Sequence, residues 1–221
     1  MIKYFFYIFT VLVFSTISHA QKNQYDEDGD RHGFWKVEFK GTNNPKFEGT
    51  FEHGQEIGKF KFYKKGFYDH PSAIMNFDKA QDSVHVTYFT QTGKPISEGM
   101  MMDRKREGEW VYYHQKTDSI MMIENYKSDQ LNGPQKTYFP NGKLAEKTHY
   151  TNGEKNGESF IYANNGQVTK ELLYKDGLLH GAATYYDPKG LKIREGFYTA
   201  GEKSGHWKYF SDGKLDTEED Y

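Results

Sequence analysis

The sequence predicts an all-β protein, an elongated antiparallel meander of about eight stacked β-hairpin repeats of 24–25 residues. Three observations carry that prediction. Glycines recur at a near-constant spacing, aromatic and polar residues alternate after each of them, and turn signals divide each interval. Beyond the first twenty residues no stretch keeps a helical period over a useful length.

The repeat glycines are Gly33, Gly58, Gly108, Gly133, Gly157, Gly181 and Gly205, at successive spacings of 25, 50, 25, 24, 24 and 24. The double interval holds a degenerate unit in which Ser83 stands where the glycine is expected, so eight units run from residue 33 to residue 221. After each leading position comes an alternating stretch: FWKVEF, KFKFY, VHVTYF, EWVYY, PQKTYF, ESFIY, AATYY and HWKYF. Rings and polar residues at a period of two describe a strand. Thr148 reads as a polar strand position at which substitution is mild.

A turn follows, most plainly at Asn141-Gly142, Asn165-Gly166, Lys189-Gly190 and Asp212-Gly213. Such pairs suit a type I′ turn, in which both central residues need positive φ. The second strand ends on an aromatic in seven units, at Phe51, Phe77, Tyr126, Tyr150, Tyr174, Tyr198 and Tyr221. A second glycine turn (His53-Gly54, Asn152-Gly153, Asp176-Gly177, Ala200-Gly201) leads into the next unit. A lone hairpin is marginal in water, so each unit has to bury its rings against its neighbours. Rings repeated at one phase form cross-strand pairs, each contributing roughly 0.2–1 kcal/mol.

The first half departs from this plan. GFYDHPSAIMNFDKAQDS, residues 66–83, contains Pro71, which suits an edge strand or a bulge. The fourth unit replaces its turn with HQKTDS and follows a methionine-rich run, whereas the second half is nearly regular.

The N-terminus is of another kind. Lys3, an apolar run from Tyr4 to Phe14 and the ending Ser18-His19-Ala20 have the order of a signal peptide, residues 1–20, cleaved between Ala20 and Gln21. Residues 21–32 form a short lead-in and residues 33–221 the array. The protein is therefore expected to be exported, to the periplasm or the cell exterior. The alternative is an uncleaved N-terminal membrane anchor over Tyr4–Ala20. The chain has no cysteine, which excludes disulfides, thiolate zinc sites and a cysteine nucleophile.

A formal net charge of -2 without a basic stripe argues against nucleic acid as a partner. The densest basic run, DRKRE at residues 103–107, is flanked by acids and reads as a solvated turn, so anionic membrane binding is not supported either. The nine histidines are scattered, with no His-x-x-x-His or His-Glu-x-x-His spacing, and neither a Gly-x-Ser-x-Gly elbow nor a phosphate loop occurs. The repeats leave no room for a catalytic domain of ordinary size. No catalytic, cofactor-binding or metal-binding residue is nominated, and no cofactor is expected. The acidic ending DTEEDY reads as a solvated strand that protects the terminal edge rather than as a calcium site.

Trp35, Trp110 and Trp207 share one phase and are the candidate binding aromatics, through stacking on sugars. The competing reading is a shared buried face. Phe60, His85, Gln135, Ser159 and Ala183 take that position in other units, a variety that favours packing over a uniform ligand site.

The phrases YFPNGKLAEKTHYTNGEKNG, YANNGQVTKELLYKDGLLHG and YYDPKGLKIREGFYTAGEKSG, in units five to eight, resemble the MORN-repeat variant proteins of bacteria. The resemblance implies an elongated sheet of stacked hairpins and a scaffolding or binding role. Many such bacterial chains are labelled antitoxin components of toxin–antitoxin systems, which for an exported protein implies an immunity-like role outside the cytoplasm. The expected function is non-enzymatic binding of another macromolecule, a protein or peptide, through an extended sheet face or edge. The alternative is a cell-envelope glycan or membrane-surface module that uses exposed rings.

Overall fold

The computed structural model describes residues 22–67 and 69–221; the expected signal segment and its cleavage point at Ala20 and Gln21 lie outside the described residues. A two-residue strand, β1 (Gln24–Tyr25), leads into eight hairpins. The first four pair β2 (Arg31–Glu38) with β3 (Pro45–Glu52), β4 (Gln55–Phe62) with β5 (Ala73–Asp78), β6 (Ser83–Phe89) with β7 (Pro95–Met102), and β8 (Lys105–Tyr113) with β9 (Ile120–Lys127). In the fifth, β10 (Gln130–Leu131) and β11 (Gly133–Tyr138) precede β12 (Leu144–Thr151). The last three pair β13 (Glu154–Tyr162) with β14 (Val168–Lys175), β15 (Leu178–Tyr186) with β16 (Lys192–Thr199), and β17 (Glu202–Ser211) with β18 (Lys214–Asp220).

Successive strands pair antiparallel along the chain, β10 and β11 both pairing with β9, in one open meander. Substantial contacts run only between strands that are neighbours in this order. The predicted row of eight hairpins is the fold.

The central positions of the strands form one continuous row across the sheet. It starts at Trp35, opposite Gly49, and passes to Phe60, Met75, Val86, Gly99 and Trp110. Glu124, Gln135, Thr148 and Ser159 come next, then Leu172, Ala183, Gly196 and Trp207. Large rings in this row lie flat on glycine. A Cβ added to Gly49, Gly99 or Gly196 would sit 2.4, 2.5 or 2.3 Å from the ring of Phe60, Trp110 or Trp207. The glycines give the rings room that no other residue leaves.

Around the row the apolar residues gather into three clusters: one on Trp35, Phe51 and Phe60, one on Val86, Trp110 and Tyr126, and one on Leu172, Ala183, Tyr185 and Trp207. Met75 packs against both of the first two. Between the second and third the row turns polar, with Glu124, Thr148 and Ser159 buried. Alternation had marked Thr148 as a mild position, and the structure corrects this: it is 1% exposed. Its hydroxyl lies 2.7 Å from that of Ser159. Period two fixes parity, and here the covered parity carries a polar residue.

The seven repeat glycines all have positive φ, between 63° and 116°. In the sixth unit Thr148 faces Ser159 but Tyr150 faces Lys155, so two extra residues bulge from the strand that carries Gly157. Unit three differs. Its leading position is Val84, not Ser83, because Phe77 pairs directly with Val84 and no register shift occurs between β5 and β6. A β-branched residue resists positive φ, so the slack goes instead into a four-residue loop, 79–82, with Asp82 at φ 49°. The row residue of this unit is consequently Val86, and His85 faces the other side.

Two further expectations are corrected. At Asn141-Gly142, Asn165-Gly166 and Lys189-Gly190 only the glycine has positive φ. The first of these hairpins closes through Gly142 N–H to Phe139 O (2.8 Å) and Phe139 N–H to Lys143 O (2.8 Å). That pattern is a turn followed by a glycine bulge. The turns with two positive φ values join the units: His53-Gly54, Asn152-Gly153, Asp176-Gly177 and Ala200-Gly201. Asp212-Gly213, inside the last unit, also has this form. Pro71 lies in the loop before β5 rather than in a strand.

Candidate interaction surface

Cations two residues ahead of the repeat glycines lie over the rings of the central face. Arg31 stands 4.9 Å from the Trp35 ring, Arg106 3.8 Å from Tyr126, Lys155 5.1 Å from Tyr174 and Lys203 4.7 Å from Trp207. Leu131 and Leu179, at the same phase, pack into the apolar clusters. In these six units the position takes a cation or a leucine as a lid on the rings, whereas unit two has Glu56 there.

The polar stretch of the row is satisfied from within. Glu124 accepts from Tyr126 Oη (2.5 Å) and Gln135 Nε2 (2.7 Å), and Arg106 Nη1 donates to Tyr126 Oη (2.5 Å). Burial, with the Glu124 carboxylate, holds the Tyr126 phenol far above its ordinary titration range. A buried carboxylate with its own donors is a structural element and has little left to offer a ligand.

The three tryptophans are 6%, 3% and 0% exposed. Their indole N–H groups donate to Gln24 O, Met100 O and Phe197 O, each at 3.0 Å. Trp35, Trp110 and Trp207 therefore pack the core, and their faces are not open to sugar stacking.

An apolar groove lies where the repeat breaks its plan. The groove, of about 340 Å³, runs over Phe62, Met75, Phe77, Val84, Val86 and Met101, and is rimmed by Glu56, Asp103 and Arg104. Here unit three puts valine at the leading position, where the other units place glycine, and valine again in the row, beside the row methionine of unit two. Ser83, in the same strand phase as His85, is buried and lines a separate depression with Gln55, Lys79 and Asp82. Beyond Met101 the groove continues past Tyr88, Trp110, Tyr112 and Arg106. Methionine packs adaptably against varied apolar shapes.

The opposite face is charge-paired. Lys61 meets Glu48 at 2.7 Å, Lys79 meets Glu52 at 2.6 Å, and the Tyr113 hydroxyl donates to Glu98. Burial and that carboxylate push the Tyr113 phenol up to about 12.

At the N-terminal end the structure brings together Asp26, His32 and His53, with one potential ligand atom of each within 4.8 Å of the others. A search for closely spaced histidines passes over them, since they come from three separate segments. The groove too was missed. Its signal was the lack of a residue fit for positive φ at position 84.

Residues 131–152 and 155–176 match the family model described as MORN repeat variant. No curated protein matches the sequence. Among solved structures, a chain of the "Glycosylation Associate Protein (Gap123) complex from Streptococcus agalactiae" is similar over 47% of this chain, at 18% identity and a TM-score of 0.30. The match spans 19% of that chain's length. Two units of the meander are thus similar to MORN repeat variants, a kind of repeat that suggests a binding protein.

Proposed function

We propose that this protein is an exported, non-enzymatic repeat protein that binds another protein through the central face of its sheet, with the groove over Met75, Val84, Val86 and Met101 as the anchor. The observation that carries this reading is the groove itself. It is apolar, lined with methionine, rimmed by charges of both signs and placed where the array departs from its own pattern. Export rests on the order of residues 1–20, and mass spectrometry of the mature chain should find Gln21 at its N-terminus. The antitoxin-like role implied by the family resemblance becomes one partner class within this reading, a toxic protein met outside the cytoplasm.

The second reading is a cell-envelope glycan module that uses exposed rings such as Tyr25, 64% exposed. One experiment separates the two. A photo-crosslinker at Met101 is activated in envelope extract with and without a glycan competitor, beside a Met101→Glu variant whose fold is checked by circular dichroism. A protein adduct that ignores glycan and is absent when the crosslinker is moved to Phe197, on the opposite face, supports the groove. Capture that Met101→Glu leaves unchanged sinks it, and release by glycan transfers the function to the second reading.

A further inference from the structure

We propose that Asp26, His32 and His53 form a binding site for a divalent transition-metal ion, with zinc as its occupant. The three come from the loop between β1 and β2, from β2 itself and from the turn between β3 and β4. Asp26 Oδ1 accepts the backbone N–H groups of Asp28 (3.1 Å) and Asp30 (2.8 Å). Those bonds fix the carboxylate so that Oδ2 lies 2.8 Å from His53 Nδ1. The rings of His32 and His53 stand 5.1 Å apart, centroid to centroid.

Tetrahedral zinc with bonds of about 2.0–2.1 Å holds its ligand atoms about 3.3 Å apart. The present spacing reaches that by small rotations of two exposed imidazoles, with the metal replacing the proton between Asp26 and His53. Two nitrogens and one carboxylate oxygen suit zinc, nickel or copper rather than calcium or magnesium. Water takes the fourth position.

Further observations point the same way. His53 occupies the first position of a joining turn at φ 46°, where later units have Asn152, Asp176 and Ala200. Gly54 N–H donates to Arg31 O at 2.9 Å, which locks that turn against the strand of His32. Arg31, the neighbour of His32 in the chain, is turned onto the Trp35 and Phe51 rings. Glu52 is held by Lys79 at 2.6 Å and leaves the three ligands to act together.

A bound ion would staple the lead-in, which pairs with β2 over two residues only, to the body of the array.

The test uses the full chain without a histidine tag, stripped with chelator. Calorimetric titration with zinc chloride should show about one ion per chain, and cobalt should give the visible bands of a four-coordinate site. His32→Ala and His53→Ala should each weaken zinc by more than the roughly 10–100-fold lost with an outer-shell partner. His206→Ala, at a second histidine with acidic neighbours, should bind as the parent does. Because both target imidazoles are exposed, unchanged circular dichroism will show that the variants fold. Absence of binding at millimolar zinc, zinc binding by both target variants as tight as the parent's, or uptake of calcium in place of zinc would each overturn the proposal.

Discussion

Between Tyr150 and Ser159 the chain makes a two-residue turn at Asn152-Gly153 and then bulges at Gly157. Between Phe77 and Val86, over the same nine residues, it makes a four-residue turn and no bulge. Both routes deliver the next row residue to the same place in the sheet. The period is therefore set by the distance between row positions, and the glycine decides only where the slack is stored. Where valine forbids the bulge, a groove opens beside Met75 and Met101. The regular half of the molecule repeats one solution, and the irregular half carries the apolar groove.

The strongest way to break this comparison is to change the length of the regular half. Deleting residues 157–180 removes one full 24-residue period and joins Asn156 to Gly181, so every ring still meets its neighbour. That variant should fold cooperatively with strand content reduced in proportion, as expected of units that touch only their neighbours. Deleting residues 157–168 joins a unit's end to a second strand and should aggregate or melt far lower. Circular dichroism melts of the pair decide it. If both fail alike, the molecule is one shared core and not an array.

A smaller effect sharpens the role of the bulge. Gly157 has φ 104°, and its added Cβ would meet His149 Cβ at 3.4 Å. Gly157→Val should lower unfolding free energy by about 1–3 kcal/mol in urea, the range for a residue forced into a sparsely populated conformation. A loss well under that, together with disappearance of the Tyr150–Lys155 pairing from NMR contacts, would mean that the unit had adopted the solution of unit three.

The smallest effect lies at the last hairpin, where His206 Nδ1 meets Asp220 at 2.9 Å and Nε2 meets Glu218 at 3.3 Å. The bond to Asp220, followed by that to Glu218, raises the folded-state pKa of His206 above its ordinary value. Stability from a raised group is fully present below the unfolded value, near 6.5, and is lost as pH rises through the folded value. His206→Gln should melt below the parent at pH 5 and alongside it once the pH has passed the folded value. A constant gap across that range would remove the ion pairs as its cause.

Strand content, period and ring phase were legible because they are local: alternation and turn residues are written within a few positions. The turns were legible as positions but not as types, since Asn-Gly serves a glycine bulge at residues 141–142 and a two-residue turn at residues 152–153. The face on which Thr148 lies was not legible. Rings stand on both faces, Tyr113 on one and Tyr112 on the other, so aromatic alternation does not say which side is covered. The groove depended on a one-residue phase, Val84 rather than Ser83, that only pairing reveals. The Asp26, His32 and His53 group depended on a turn folding back beside a strand, a juxtaposition with no spacing rule.

The joining turns have one more consequence. Gly153 N–H donates to Leu131 O, Gly177 N–H to Lys155 O and Gly201 N–H to Leu179 O, each reaching back 22 residues. No strand waits for a partner that is synthesised much later, so loop-closure entropy is small at every step. A growing chain can thus complete each hairpin against the one before it, from the N-terminus onward, while its last units are still being made. Growth by one unit adds one ratchet-like step rather than a new folding problem.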